Sequence, residues 1–193
     1  MIDYGALFEF GEDFSCHHAF RAGPKDGAID DPWALCRGDF RPRTAIEFFH
    51  SEGRDVYDVI WTGFVAVVLV SRRFRDVLER AEFTGWTPYP VKVFDEVGEE
   101  IRGYCGLAFT GRSGPVDYSR SQKVWRKPRY KGGPKYQEYV GLFFKEDRWD
   151  GTDLFLPENT AHKIITEKVK NALSKLDIPN VGFERLTEFT DSV

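Results

Sequence analysis

The sequence predicts an α+β fold, mostly antiparallel sheet with two short amphipathic helices at about 72–82 and 167–177, set in two pseudo-related halves. Three observations predict it. β-Branched or alternating apolar runs recur along the chain, as in Val65–Val70 and Tyr104–Thr110, which suits strands. Two stripes fit one face of a helix: Phe74, Val77, Leu78 and Ala81, then Val169, Ala172, Leu173 and Leu176, each at i, i+3, i+4 and i+7. These stretches also align at an offset of 95 positions, which sets Ser71 on Thr166, Leu78 on Leu173, and Arg73, Arg75 and Arg80 on Lys168, Lys170 and Lys175. Any strand feeding an amphipathic helix would share part of this pattern, so duplication is one of two readings.

Taken in order, residues 4–10 read as an opening strand, followed by loop-rich sequence as far as Arg43, with Gly23-Pro24, Asp31-Pro32 and Arg41-Pro42 as breakers. Thr44–Phe49 reads as a second strand. The uncharged run Val59–Val70 spans 12 residues and is interrupted by Thr62 and Gly63. A membrane helix needs about 20 residues, so this run reads as buried strand, and its continuous part Val65–Val70 as an element covered on both faces or entering the core end-on. Ser71 stands where an N-cap belongs, and Gly85 is a terminator or turn residue after the first helix. Pro90–Asp95 turns through Glu96-Val97-Gly98 and resumes at Ile101 as a hairpin. Gly106 and Ala108 alternate with Leu107 and Phe109, leaving one face of that strand open to close approach. Tyr139–Phe144 reads as a strand, Trp149–Phe155 as a turn entering another, Thr166 as the second cap and Val181–Leu186 as a last strand. Helices of about 11 residues are marginal alone, so each stripe must pack on a sheet.

Composition narrows the function classes. The 193 residues carry 27 Lys and Arg against 31 Asp and Glu, a net charge of -4, which argues against a general nucleic-acid coat protein. Aromatic residues make up 16% of the chain, more than a disordered segment holds. Cys16, Cys36 and Cys105 are odd in number with no C-x-x-C pair, which fits a reducing cytoplasm better than a disulfide scaffold. The first 13 residues hold Asp3, Glu9, Glu12 and Asp13 and no cation, unlike a targeting leader, so a cytoplasmic location without membrane contact is expected.

Catalytic signatures are missing: the sequence has no G-x-x-x-x-G-K-[ST], no G-x-G-x-x-G and no H-E-x-x-H. Gly111-Arg112-Ser113-Gly114 lacks the spacing of a nucleophile elbow and reads as a strand-ending turn, with Ser113 a turn residue. Its amides could instead form an anion nest beside Arg112, in the cleft of a small-ligand-binding protein or enzyme. Cys16, His17, His18 and Cys36 are zinc-type donors in a spacing that matches no compact zinc module. Asp147, Asp150 and Asp153 around Gly151 lack a full calcium-loop pattern and read as a solvated acidic turn. His50 and His162 read as isolated structural residues. No catalytic residue, metal or cofactor is expected.

The most informative local feature is the strip 119–137. It holds Arg120, Lys123, Arg126, Lys127, Arg129, Lys131 and Lys135 with no acid, and Trp125, Tyr130 and Tyr136 are interleaved. Pro128, Gly132, Gly133 and Pro134 mark it as a loop. Cations with aromatics can meet an acidic protein surface, or phosphates and stacked bases of single-stranded nucleic acid, or the protein's own acidic patches. Removing this +7 strip leaves 20 cations against 31 acids, so the near-neutral total is a cancellation between a basic strip and an acidic body.

Several strings carry a resemblance: Leu69-Val70-Ser71, Thr84-Gly85-Trp86, Pro90-Val91-Lys92-Val93, Gly103-Tyr104-Cys105-Gly106-Leu107, Thr110–Tyr118, Gly141-Leu142-Phe143-Phe144 and Trp149-Asp150-Gly151-Thr152-Asp153. Together they resemble family eleven of the immunity proteins from bacterial polymorphic toxin systems, over roughly 56–190. The chain then divides into an N-terminal strand-and-loop extension, 1–55, and a family-like core, 56–193, within one two-lobed domain. Cys105 and Ser113 depart from the family's pattern, which commonly has His and Cys there. The resemblance implies a cytoplasmic, non-enzymatic protein that binds and neutralises a cognate toxin, and it brings no catalytic or cofactor residues.

Overall fold

The computed structural model describes residues 2–128 and 130–191. After a short 3-10 turn at Tyr4–Ala6, strand β1 (Leu7–Glu12) buries Phe8 and Phe10. Next come β2 (Arg21–Pro24), helix α1 (Pro32–Arg37), β3 (Ile46–Glu52), β4 (Val59–Thr62), β5 (Val68–Ser71), helix α2 (Arg72–Arg80), β6 (Trp86–Phe94), β7 (Glu100–Ile101) and β8 (Tyr104–Phe109).

Six of these strands close into a barrel in the order β3-β2-β4-β5-β8-β6, because β6 also pairs in parallel with β3 through Phe48↔Val93. Short β7 adds to β6 through Val93↔Ile101, completing the expected hairpin. The interior is filled by Phe20, Phe48, Ile60, Val67, Leu69, Tyr89 and Val93. Closure is possible because Gly106, paired with Tyr89 across β6 and β8, has no side chain: a Cβ there would sit 1.9 Å from the Tyr89 ring. Sequence alternation had reserved that face for close approach, and an aromatic ring occupies it.

The run Val59–Val70 is two strands, not one. Thr62 breaks it, its hydroxyl donating to the Val67 carbonyl at 2.9 Å and accepting from the Phe64 amide at 3.2 Å. β4 and β5 then pair as a hairpin, Ile60↔Leu69. Ile60, Val67 and Leu69 face the barrel interior, whereas Val59, Trp61, Val68 and Val70 belong to a second core outside it. Double coverage explains the continuous apolar pattern of β4 and of Val67–Val70, whereas Phe64 and Val65 in the turn between the strands are exposed.

α1 occupies part of the stretch expected to be loop. Asp31 accepts from the Trp33 and Ala34 amides, Pro32 takes the first helical position, and Gly38 ends the helix at φ 71°. Asp-Pro is a start signal as well as a breaker. The helix inserts Leu35, fully buried, into the barrel core.

The second half contains β9 (Gly111–Pro115), β10 (Gln122–Arg126), β11 (Tyr136–Val140), β12 (Leu154–Glu158), β13 (Ile164–Thr166), helix α3 (Glu167–Leu173), β14 (Val181–Arg185) and β15 (Thr190–Asp191). Five strands form an open sheet in the order β14-β1-β13-β12-β9, parallel only between β12 and β9. Between this sheet and the barrel wall lies the second core, which takes Phe74 and Leu78 from α2 together with Val169 and Leu173 from α3. Val77 and Leu176 pack against the same core, so both predicted stripes meet in one place except for Ala172, outside that cluster, and Ala81, exposed at the C-cap of α2. A third cluster, with Tyr4, Phe144, Phe155 and Ile164, covers the sheet's other face.

The two strand-to-helix units differ in detail. Ser71 caps α2, accepting from the Phe74 amide at 3.2 Å. Thr166 holds the cap position of α3 without capping it, because its hydroxyl donates to Asp153 at 3.2 Å. α3 is also shorter than predicted, with Ser174–Leu176 tightening into a 3-10 turn. One unit lies in the closed barrel and the other in the open sheet.

Candidate partner-binding surface

The strip 119–137 is a β-hairpin with a connecting tip, not a loop. β10 and β11 pair antiparallel from Gln122↔Val140 to Arg126↔Tyr136, and β15 adds beside β11 through Tyr139↔Asp191. Cationic strands without apolar alternation give no strand signal, and two Pro and two Gly residues sit in the tip. There the Gly133 amide donates to the Tyr130 carbonyl at 3.1 Å, and Gly132 takes φ 84°.

The ten candidate residues divide by what they touch. Lys123, Trp125, Lys127, Tyr130, Lys131 and Lys135 are exposed, Trp125 and Tyr130 to 67% and 70%. Lys123 Nζ lies 5.8 Å from the centroid of the Tyr139 ring. Arg126 pairs with Glu138 at 2.6 Å, and Tyr136, opposite Arg126, is half-buried. Arg120 does another job: its guanidinium lies 4.8 Å from the Tyr4 ring and 4.7 Å from the Phe143 ring, and pairs with Glu146 at 3.0 Å. That contact holds the Glu146 carboxyl below its ordinary range. Arg120 therefore staples the hairpin's base to the N-terminal turn. Arg129 lies outside the described residues.

Residues that the sequence did not single out fix the hairpin's root. Tyr118 packs on Tyr139 with ring centroids 4.7 Å apart and donates to Asp191 at 2.7 Å. Burial, then the Asp191 carboxylate, push its phenol pKa up. Asp191 also faces His162 Nε2 at 3.4 Å, while Glu9 of β1 faces Nδ1 at 3.6 Å. Burial opposes charge on this imidazole, but the hydrogen bonding and charge of Glu9 and Asp191 outweigh it and raise its pKa. So His162 is not isolated; it links the open sheet to the hairpin sheet. His50, by contrast, satisfies a single carbonyl, that of Gly53, at 2.6 Å.

The other candidates resolve differently. Gly111–Gly114 is not a turn but strand β9, with Ser113 buried. The Arg112 guanidinium donates to the Phe109, Gly111 and Arg37 carbonyls at 2.7, 2.9 and 2.6 Å and pairs with Asp39 at 3.3 Å. It is spent on pinning α1 to β9. A cavity of about 230 Å³ does open beside it, but Arg37 and Arg148 on its wall are paired with Asp39 and Glu158. Of the zinc-type donors, Cys36 is fully buried, its thiol pKa pushed up by burial, while His17 and His18 are exposed. Among the described residues no group of three His, Cys, Asp or Glu side chains could hold a metal ion. The acidic turn is solvated, with Asp147 and Asp150 exposed, and it also acts as a clasp. Asp150 accepts from the Arg112 amide at 2.7 Å, and Asp153 accepts from the Thr84 amide and hydroxyl at 3.0 and 3.1 Å.

Fold and surface define a class: an α+β scaffold on a closed barrel that presents a cationic, aromatic hairpin on a stapled root. Among the described residues no helix is long and apolar enough to cross a membrane. The chain belongs to the Imm11 family of immunity proteins; the family model, Immunity protein family (Imm11), matches residues 22–188. That match takes in α1 and β3, ahead of the strings that carry the resemblance. No curated protein matches the chain.

Proposed function

We propose that this chain is a non-enzymatic immunity protein that binds and neutralises a cognate toxin of a bacterial polymorphic toxin system in the cytoplasm, and that the β10–β11 hairpin meets the toxin. The family match over 22–188 carries the proposal. Inhibition by binding needs a fixed surface, an anchor and fast encounter. Arg120, Tyr118 and Asp191 fix the hairpin, so little ordering entropy is lost on docking. Trp125 and Tyr130 supply exposed aromatic area of the kind that dominates interface energies. Lys123, Lys127, Lys131 and Lys135 steer encounter, a contribution that added salt weakens.

Co-expression tests the reading. With the toxin encoded beside its gene, the chain should restore growth and co-purify with the toxin; failure to rescue growth from any neighbouring toxin removes the proposal. The same exposed cations and aromatics suit single-stranded nucleic acid. In that case oligonucleotide affinity would fall with log salt at about 0.7 per phosphate contacted, and no toxin would co-purify.

A further inference from the structure

The hairpin has a side that no strand covers. In β11, the Gly141 amide donates to the Phe189 carbonyl at 2.8 Å, on the β15 side. Backbone groups alternate sides along an extended strand. Tyr139 therefore also faces β15, opposite Asp191, while Val140, Glu138 and Tyr136 turn to β10, opposite Gln122, Val124 and Arg126. That leaves the N–H and C=O groups of Lys123 and Trp125 pointing outward. β10 ends its sheet, and among the described residues neither Lys123 nor Trp125 has another backbone partner. Apart from half-buried Val124, every residue of β10 is exposed.

We propose that β10 is a docking edge on which an extended, acidic segment of the toxin adds as a fourth strand, bonded to the backbone of Lys123 and Trp125. The proposal rests on the immunity function above and supplies its binding mode. Strand addition takes affinity from main-chain hydrogen bonds and specificity from alternating side chains. The charge pattern selects the occupant. Lys123 and Lys127 border the edge as exposed cations, Arg126 beside them is held by Glu138 of β11, and no acid lies between 119 and 137. A second copy of this chain pairing there would set cations against cations, a standard protection of open edges. An acidic strand meets them with the opposite sign, and Trp125 offers it an apolar anchor beside the open backbone.

Amide hydrogen exchange on the full chain tests this, alone and with the toxin domain encoded beside the gene. In the free chain the Gln122, Val124 and Arg126 amides should exchange slowly and those of Lys123 and Trp125 fast. Toxin should slow Lys123 and Trp125 at least tenfold, and the association rate should fall as salt rises. Lys123→Pro removes an outward donor without taking a bond from the β10–β11 ladder, which slow Val124 exchange would verify. It should weaken binding at least tenfold beyond Lys123→Ala. Toxin binding that leaves both amides fast, a rate indifferent to salt, or slowing in the free chain that grows with its own concentration overturns the edge proposal alone. Wild-type chain that binds no toxin removes the immunity reading, and the edge proposal falls with it.

Discussion

The barrel, antiparallel at four of its six pairings, and the wholly antiparallel hairpin sheet put strand pairing to opposite ends. Each of the six barrel strands has at least two neighbours, and Phe48, Leu69 and Val93 are fully buried inside. β10 has one neighbour, and its central aromatic, Trp125, is 67% exposed. Closing a sheet removes unpaired backbone and gives each alternate side chain a core to fill. Leaving one strand open keeps backbone groups free for a partner, with lysines and arginines standing guard against indiscriminate pairing. Stability and binding should therefore separate along this line. Barrel substitutions should move the unfolding transition, and hairpin substitutions should move toxin affinity.

The largest effect should come from the barrel. Phe48→Ala empties a site with no solvent access and should cost about 3–5 kcal/mol in denaturant unfolding, with unchanged toxin affinity for whatever remains folded. A loss of affinity without a loss of stability would break the comparison. Next, Trp125→Ala should leave the unfolding free energy within about 0.5 kcal/mol of wild type. It should also lower toxin affinity by about 2 kcal/mol, roughly thirtyfold, in calorimetric titration. Smaller still, Tyr118→Phe removes the bond to Asp191 at the boundary between the regions and should cost about 1 kcal/mol of stability. Amide exchange should then quicken at β15 and leave the barrel unchanged.

How much of this was legible in the sequence follows from the range of the interactions involved. The two helices were readable because their stripes and the Ser71 cap are local patterns, and Gly106 betrayed a close approach within its own strand. α1 was hidden because Asp31-Pro32 serves equally as breaker and as helix start. Barrel closure depends on β3 meeting β6, a parallel pairing between distant segments with no local signature. The basic strip announced a surface by composition, but its strands are exposed on both faces at β10 and so lack alternation. Arg120 looked like its neighbours in sequence. Only folding sets it on the Tyr4 and Phe143 rings and turns it from a binding candidate into a support. Likewise Thr166 has the right residue type for a cap, and Asp153, thirteen positions earlier, takes its hydroxyl.

The smallest effect tests whether the hairpin's root is electrostatically coupled to the open sheet. His162 lies between Glu9 and Asp191, with the Phe189 ring 5.2 Å away edge-on, and its pKa is raised in the folded chain. A group with a raised folded pKa binds its proton more tightly when folded, so its contribution is full below the unfolded value, 6.5, and fades as pH rises through the folded value. Glu12 and Glu184 also have raised pKa values, but as carboxyls their ordinary value is 4.5, so their changes begin in the acid range. The difference in unfolding free energy between wild type and His162→Gln isolates the imidazole. That difference should be constant below pH 6.5 and shrink above it, with amide exchange at Asp191 quickening over the same window. A difference independent of pH would mean that His162 holds β15 by packing on Phe189 alone, and the two sheets would then be joined there by shape rather than by charge.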